Sequence, residues 1–450
     1  MKKNLIITIS LLLLSQTARS QSDDYVIPQT IDYMVTQRLS PDGVWLAGQD
    51  VYGSLMYRYN TQTQEVDELV TMYTGIGNCV SNTGVIVGQD IGGIDQHAAV
   101  VFDGKPSIPL NLLNIGMSSL DGITPDGKRA VGYMTNQDGG VMFIPMYVTM
   151  NSAGYVSKPI VLPYPERDVK GSEPQGVTAV WISDDGMTIA GIVTSGTGFY
   201  DYPIIFRQDE NGDWSYTIPK DIIEHPNDYS FIANMAMTSD GKKLFLGQMR
   251  SQYSGPSTVV ETIAPYIYDI ENDVFTEIKT DVEMLIPVQM LDDGTLLGTT
   301  YMRAFIPFTS HIKLPDSDGF IPFAQYMEEK RPAFFPWLDD TLGEYGVTGY
   351  DENGQPILGR YIITGNIYVS RDMNVISGGY PVGEGFSYVF EGSGEITNPG
   401  PDPGESGVET IVNPDGKTII LDIDGRRINS DKLENLPKGI YIVNGKKVIL

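Results

Sequence analysis

Short apolar runs alternate with polar residues along this chain, and a nine-residue phrase punctuates them at intervals. It consists of a small polar residue, a spacer, Asp-Gly, four mostly apolar residues and a Gly. It reads Ser40-Pro41-Asp42-Gly43-Val44-Trp45-Leu46-Ala47-Gly48 first, then returns from Thr124 to Gly132 and from Ser183 to Gly191. Looser copies begin at Ser81 (closing at Gly88), Ser239 (closing at Gly247) and Asp292 (closing at Gly298). A worn copy runs from Ser370 to Gly378, with Met373 in place of the turn glycine. Asp-Gly is a hairpin signal, because Gly accepts a positive φ and the Asp carboxylate caps the turn. The residues after it have strand composition, and the closing Gly predicts a bulge or a close backbone approach. Most copies are followed by a second apolar run ending in an aromatic residue, as in Met56 to Asn60, Val100 to Asp103, Ile204 to Arg207, Tyr266 to Asp269 and Tyr388 to Glu391. Each unit is therefore predicted to be a small antiparallel sheet.

The turn position falls at 43, 84, 127, 186, 241, 294 and 373, giving spacings of 41 to 59 residues and a last one of 79. Repeats of about 40 to 50 residues with roughly four strands each predict an all-β fold, a β-propeller. Seven signatures point to seven blades, with six and eight left open and a β-sandwich as the competing all-β architecture. Inside the long gap, Asp351 to Gly359 predicts a hairpin belonging to the last blade. The stretch from Gly319 to Tyr350 breaks the spacing, and Phe320, Phe323, Ala324 and Met327 follow the period of an amphipathic helix.

The Ser-x-Asp-Gly phrase, Ser40-Pro41-Asp42-Gly43 above all, resembles the repeats of TolB-type propellers and still more the secreted repeats of HAF type. The resemblance spans about residues 30 to 392. It implies the fold and says nothing of activity, because propellers serve many functions.

Residues 1–20 read as a secretory signal: Lys2 and Lys3, an apolar run from Leu5 to Leu14, then Ala18-Arg19-Ser20 before Gln21. The apolar run is too short to span a membrane, and no other stretch is long enough. The expected organisation is thus a propeller over 21–390, a Gly/Pro/Ser linker over 391–407 and a small β tail over 408–450. In that tail Gly425-Arg426-Arg427 precedes Lys438-Gly439-Ile440-Tyr441-Ile442-Val443-Asn444-Gly445-Lys446-Lys447-Val448. The pattern resembles the C-terminal sorting domain of the type IX secretion system of Bacteroidetes. That resemblance implies delivery across the outer membrane by type IX-like machinery, to the cell surface or the medium. A final hairpin packed on the propeller is the alternative for the tail.

Charge narrows the partners. Acidic residues outnumber basic ones 57 to 30, a net charge of −27. An acidic body repels nucleic acid and anionic lipid, whose binding relies on basic patches. The single cysteine, Cys79, has no internal disulfide partner and reads as a buried strand residue. No cofactor motif is present. Asp209, Asn211 and Asp213 place oxygen ligands at alternating positions, as a calcium loop would; a plain hairpin turn accounts for the same residues. His97, His225 and His311 lack zinc-site spacing.

No catalytic residue is nominated. A glycosidase needs two carboxylates ~5 to 9.5 Å apart, and the chain has acids enough to supply them. The ligand candidates are aromatic: Phe334, Phe335, Trp337 and Tyr345 in the insertion, and Phe199, Tyr200 and Tyr202 in a second loop. The same aromatics serve equally as packing under a capping helix. Three functions stand: binding of an extracellular glycan or protein, hydrolysis of extracellular glycan through a carboxylate pair, and a structural surface role.

Overall fold

The computed structural model describes residues 29–390, apart from 32–33, 51–54, 70–73, 93–94, 102–107, 110–116, 136–141, 152–155, 225–229, 254–258, 283, 301–308, 351–354, 363–364 and 380–384. Beyond these it describes residues 420–421, 440–443 and 446–449. The signal at 1–20, the linker and most of the tail lie outside the described residues. The chain divides into two compact units, Met1–Ser393 and Gly394–Leu450.

The first unit is mostly β with few helices. After β1 (Gln29–Ile31) come β2 (Met34–Leu39), β3 (Trp45–Asp50), β4 (Met56–Asn60) and β5 (Val66–Leu69), a four-stranded antiparallel sheet in chain order. The next is β6 (Thr74–Val80), β7 (Ile86–Gly92), β8 (Asp95–Val101) and β9 (Ile108–Pro109). A third meander has β10 (Ser118–Ile123), β11 (Arg129–Thr135), β12 (Phe143–Thr149) and β13 (Ile160–Val161). A fourth has β14 (Gly176–Ile182), β15 (Thr188–Thr194), β16 (Asp201–Gln208) and β17 (Trp214–Thr217). The third and fourth touch through one parallel pairing, Phe143 with Gly176, and so form one eight-stranded sheet.

Helix α1 (Lys220–Glu224) leads to β18 (Ser230–Met237), β19 (Lys243–Tyr253), β20 (Val259–Asp269) and β21 (Val274–Glu277). Then come β22 (Leu285–Met290), β23 (Leu296–Thr300), β24 (Ser310–Lys313) and β25 (Ile321–Pro322). The irregular insertion follows as α2 (Phe323–Lys330), α3 (Phe335–Leu342) and the hairpin β26 (Gly343–Tyr350) with β27 (Pro356–Ile362). The hairpin expected there exists, but it is a two-stranded sheet of its own rather than part of the last meander. That meander is β28 (Tyr368–Val369), β29 (Val375–Gly379) and β30 (Gly385–Val389), and β1 completes it, with Thr30 opposite Phe386.

Neighbouring sheets pack in sequence, with β6 on β2 and β3, β10 on β7, β14 on β11, β18 on β16 and β22 on β19. The last and first sheets also meet, with β2 against β28, β29 and β30. Between β22 and β28, the Gln289 side chain clasps the Val369 backbone, donating from Nε2 to its carbonyl at 2.8 Å and accepting its N–H at 3.0 Å. The cycle is therefore closed by a strand from the N-terminal end of the unit, and the apolar core lies between the sheets. Leu46 and Tyr59 of the first sheet share one cluster with Tyr368 and Val375 of the last. Closed meanders of this kind are the strand order of a β-propeller.

The repeated turn has one internal design. Ser183 Oγ donates to Asp185 Oδ1 at 2.6 Å and accepts Thr188 N–H at 3.0 Å, while Asp185 Oδ1 accepts Met187 N–H at 2.9 Å. Gly186 supplies the positive φ of 70° between them. The fifth copy begins at Thr238, not Ser239: Thr238 Oγ1 donates to Asp240 at 2.7 Å and its N–H pairs with Lys243 O. In the sixth, Leu291 takes the hydroxyl position and Asp292 the spacer position. The closing Gly marks the expected close approach. A Cβ on Gly132 would lie 1.9 Å from Ser119 O, beside a bulge between Leu120 and Gly122. The first strands β2, β6, β14, β18 and β22 carry a bulge in the same region.

The helix expected from the insertion's periodicity is α2, with Phe323 and Met327 buried. In the second unit, β31 (Ile420–Leu421), β32 (Ile440–Val443) and β33 (Lys446–Ile449) form an antiparallel three-stranded sheet. Among the described residues no helix is long and apolar enough to cross a membrane.

The central cavity as candidate functional site

The repeated turns meet one another. Asn82 N–H donates to Pro125 O at 2.9 Å, Asp184 N–H to Ser239 O at 2.8 Å and Arg371 N–H to Pro41 O at 2.9 Å. Ser239 donates its N–H and hydroxyl to the two carboxylate oxygens of Asp292, at 2.8 and 2.6 Å. Arg371 also reaches across to the fourth turn, giving Asp184 two parallel bonds of 2.5 and 2.6 Å. All of these residues occupy the spacer position, one after the turn's first residue.

Beneath the turns lies a cavity of about 90 Å³, whose walls come from the first strand of every meander. The residue just before the first residue of each turn (Ser40, Ser81, Thr124, Ser183, Thr238 and Leu291) supplies aliphatic wall: Leu39, Val80, Ile123, Ile182, Met237 and Met290. The residue two before the first residue of the turn supplies the varied chemistry: Arg38, Cys79, Gly122, Trp181, Gln289 and Tyr368. The turn and its bulge fix the direction of each first strand, so equal offsets in the repeat arrive at one place.

Arg38 dominates the electrostatics. Its guanidinium lies over the Trp181 ring, 4.0 Å from the centroid, and Nη1 donates to Cys79 Sγ at 3.7 Å. Trp181 is anchored in turn by Nε1 donating to Met235 O at 2.5 Å. Beside this group Asp121 Oδ1 accepts from Ser119 Oγ at 2.7 Å and Asn78 Nδ2 at 2.9 Å. Burial pushes the Asp121 carboxyl up to about 6, and the Ser119 bond, the Arg38 charge and the Asn78 bond only partly offset it. Burial also raises the Tyr368 phenol, against the charge of Arg38 and a bond from Asn366.

The acids lining the cavity, and Asp121 beside it, are all engaged. Both oxygens of Asp184 and of Asp292 hold hydrogen bonds, and Asp121 is tied to Ser119 and Asn78.

The aromatic candidates from the sequence are dispersed. Phe334 and Trp337 are 1% and 6% exposed, packed with Phe386 and Leu338 in the core beneath the insertion, and Phe335 packs against the same cluster. Tyr345 is 73% exposed on the β26 hairpin and shares no platform with them. Tyr200 and Tyr202 are core residues at 2% and 0%, whereas Phe199 is 53% exposed. Their loop is another capped turn: Ser195 Oγ accepts Tyr200 N–H at 3.3 Å, and Asp168 Oδ2 accepts Gly196 N–H at 3.0 Å. At the calcium candidate, Asp209 Oδ1 accepts the N–H groups of Asn211 and Asp213 at 2.9 and 2.8 Å, as an ordinary hairpin cap does. Among the described residues no group of three or more His, Cys, Asp or Glu is placed to hold a metal ion. His311 is buried, and His97 and His225 have no described side-chain surroundings. Cys79 is buried, as its strand position suggested.

No family model and no curated protein matches this chain. Solved structures similar to it include TolB from Acinetobacter baumannii, at 15% identity and a TM-score of 0.36, covering 65% of this chain. This chain spans 63% of that TolB chain. The Dos1 propeller is similar at 9% identity and a TM-score of 0.46, over 83% of this chain and 98% of its own. The propeller domain of Myceliophteria thermophila Cps50 (Swd1) is similar at 11% identity and a TM-score of 0.42, over 80% of this chain and 98% of its own. These are distant likenesses to β-propellers, and the architecture above rests on the chain's own strand order and closure.

Proposed function

We propose that this protein is a seven-bladed β-propeller, exported through its leader and displayed at or released from the cell surface, where it binds an extracellular glycan or protein at the central cavity. The blade number rests on the seven meanders, with β1 completing the last. The observation that carries the binding site is the convergence of non-recurring residues, Arg38, Trp181 and Tyr368 among them, at one offset of a recurring turn. A recurring residue holds the fold; a varied residue at a recurring place is free to serve a ligand. Rigid scaffolds present ligand contacts in this way. Hydrolysis of glycan is the second reading, and the engaged state of Asp121, Asp184 and Asp292 counts against it.

The test incubates the mature chain, from residue 21, with host and microbial glycans and glycoproteins, following both retention and product mass. Retention with unchanged mass is the expected result. Released fragments would make the protein an enzyme. The type IX-like sorting role proposed for 408–450 has a separate check: deletion of that segment abolishes surface delivery in the native host, and unchanged delivery would sink it.

A further inference from the structure

We propose that the cavity takes a small monocarboxylate, held by the guanidinium of Arg38; this rests on the reading of the cavity as the ligand site. Arg38 and Arg371 are the two cations on the cavity wall. Arg371 is committed to Asp184 by two bonds. Arg38 has no such partner. Among the described residues no carboxylate forms an ion pair with it. Nη1 has only the Cys79 sulfur, 3.7 Å away, and thiols are weak acceptors. Nε is buried with no hydrogen-bond partner. One face of the guanidinium is covered by Trp181. A cation partly withdrawn from water and short of acceptors is an unusual expense in a fold, and an anion would offset it.

The shape of the group narrows the anion. Nε is sealed from solvent, so a ligand meets the two terminal amino groups; among the described residues their only acceptor is the Cys79 sulfur, and together they present parallel donors that match the two oxygens of a carboxylate. The wall between Arg38 and the turns is aliphatic, with Val80, Ile123 and Ile182 among its residues, which suits a hydrocarbon body rather than a second charged group. A dianion is disfavoured by Asp121 beside Arg38, by Asp184 and Asp292 at the turns, and by the net charge of −27. The cavity, about 90 Å³ and open to solvent, takes a carboxylate with a short hydrocarbon body, the size of acetate or propionate, while the rest of a larger glycan or protein ligand stays outside.

Calorimetry on the full mature chain tests this, in buffer free of carboxylates, with sodium acetate, acetamide and inorganic phosphate as probes. Acetate is expected to bind with a Kd on the order of 1 mM, and acetamide and phosphate about tenfold or more weaker. Arg38→Met abolishes acetate binding. Arg38→Lys, which keeps the charge and loses the fork, weakens it about tenfold. Asp121→Asn keeps the acceptor for Ser119 and Asn78, removes a nearby negative charge and tightens it. The wild-type selectivity needs no variant to fold. Equal binding of acetamide, phosphate at least as tight, full affinity in Arg38→Met, or no heat at about 50 mM acetate would each overturn the proposal. Such a failure leaves glycan or glycoprotein retention standing. Acetate binding without any such retention would instead take down the functional reading and leave the Arg38 assignment in place.

Discussion

Replacing Gly132 by alanine probes how tightly the repeat is locked. A Cβ at this position would sit 1.9 Å from Ser119 O and 2.8 Å from Leu120 Cα, both backbone atoms. A comfortable carbon–oxygen contact is about 3.3 Å, so β10 and β11 must separate by more than an ångström where Leu120 faces Gly132. No side-chain rotamer relieves this. The separation breaks ladder hydrogen bonds in a buried part of the sheet, and each buried group left unpaired costs about 1–3 kcal/mol. Two such groups, with some loss of packing around Leu120, Ala130 and Met146, give about 3–5 kcal/mol out of the ~5–15 kcal/mol typical of a folded domain. The assay is urea unfolding of the mature chain, followed by the fluorescence of its four tryptophans. Gly319→Ala is the control, because nothing lies within 4 Å of a Cβ there, and its stability should stay within about 0.5 kcal/mol of wild type. If Gly132→Ala unfolded at the midpoint of Gly319→Ala, the locked-turn reasoning would be refuted.

Four further outcomes follow from named groups. Ser183→Ala removes the acceptor of Thr188 N–H and the donor to Asp185, and urea unfolding should show a loss of about 1–2 kcal/mol. Burial lowers the His311 imidazole to about 4, with a Thr309 backbone bond opposing, so its stabilisation is present above the unfolded value near 6.5 and is lost as pH falls through about 4. His311→Gln should flatten that acid-side loss by about 3 kcal/mol, and an unchanged pH profile would count against a buried neutral His311. Asp121 runs the other way: its raised pKa gives stability present below about 3.8 and lost as pH rises through about 6, so Asp121→Asn should gain stability at neutral pH and lose that advantage in acid. Calcium or a chelator should leave the thermal midpoint unchanged, because the Asp209 carboxylate already caps its turn; a calcium-dependent rise removed by Asp209→Ala would contradict this.

The parts legible in the sequence are those decided within a few residues. The Ser183, Asp185 and Gly186 turn closes over five positions, so its composition announces it, and the closing glycines announce the close approach to the neighbouring strand. The fifth copy is offset by one because Thr238 and Ser239 both carry hydroxyls, and only the pairing of Thr238 with Lys243 decides between them. Aromatic density around Phe334 and Trp337 signals either a platform or a core, and burial separates the two; here both pack against Phe386, contributed by a distant strand. The cavity carries no local sequence signature because Arg38, Cys79, Trp181, Gln289 and Tyr368 are scattered along the chain. A signal was nevertheless present: at two residues before each turn the repeat abandons its pattern and changes chemistry from copy to copy.

The most direct measurement compares retention of an extracellular glycan or glycoprotein by wild type, by Arg38→Met and by a double variant, Phe199→Ser with Tyr345→Ser. The first variant alters the cavity wall, and the second removes two exposed aromatics outside it. Loss of retention in Arg38→Met, with the double variant retaining ligand as wild type does, is the predicted result. Retention lost in the double variant and kept in Arg38→Met would place the ligand on the outer loops and contradict the central cavity as the binding site.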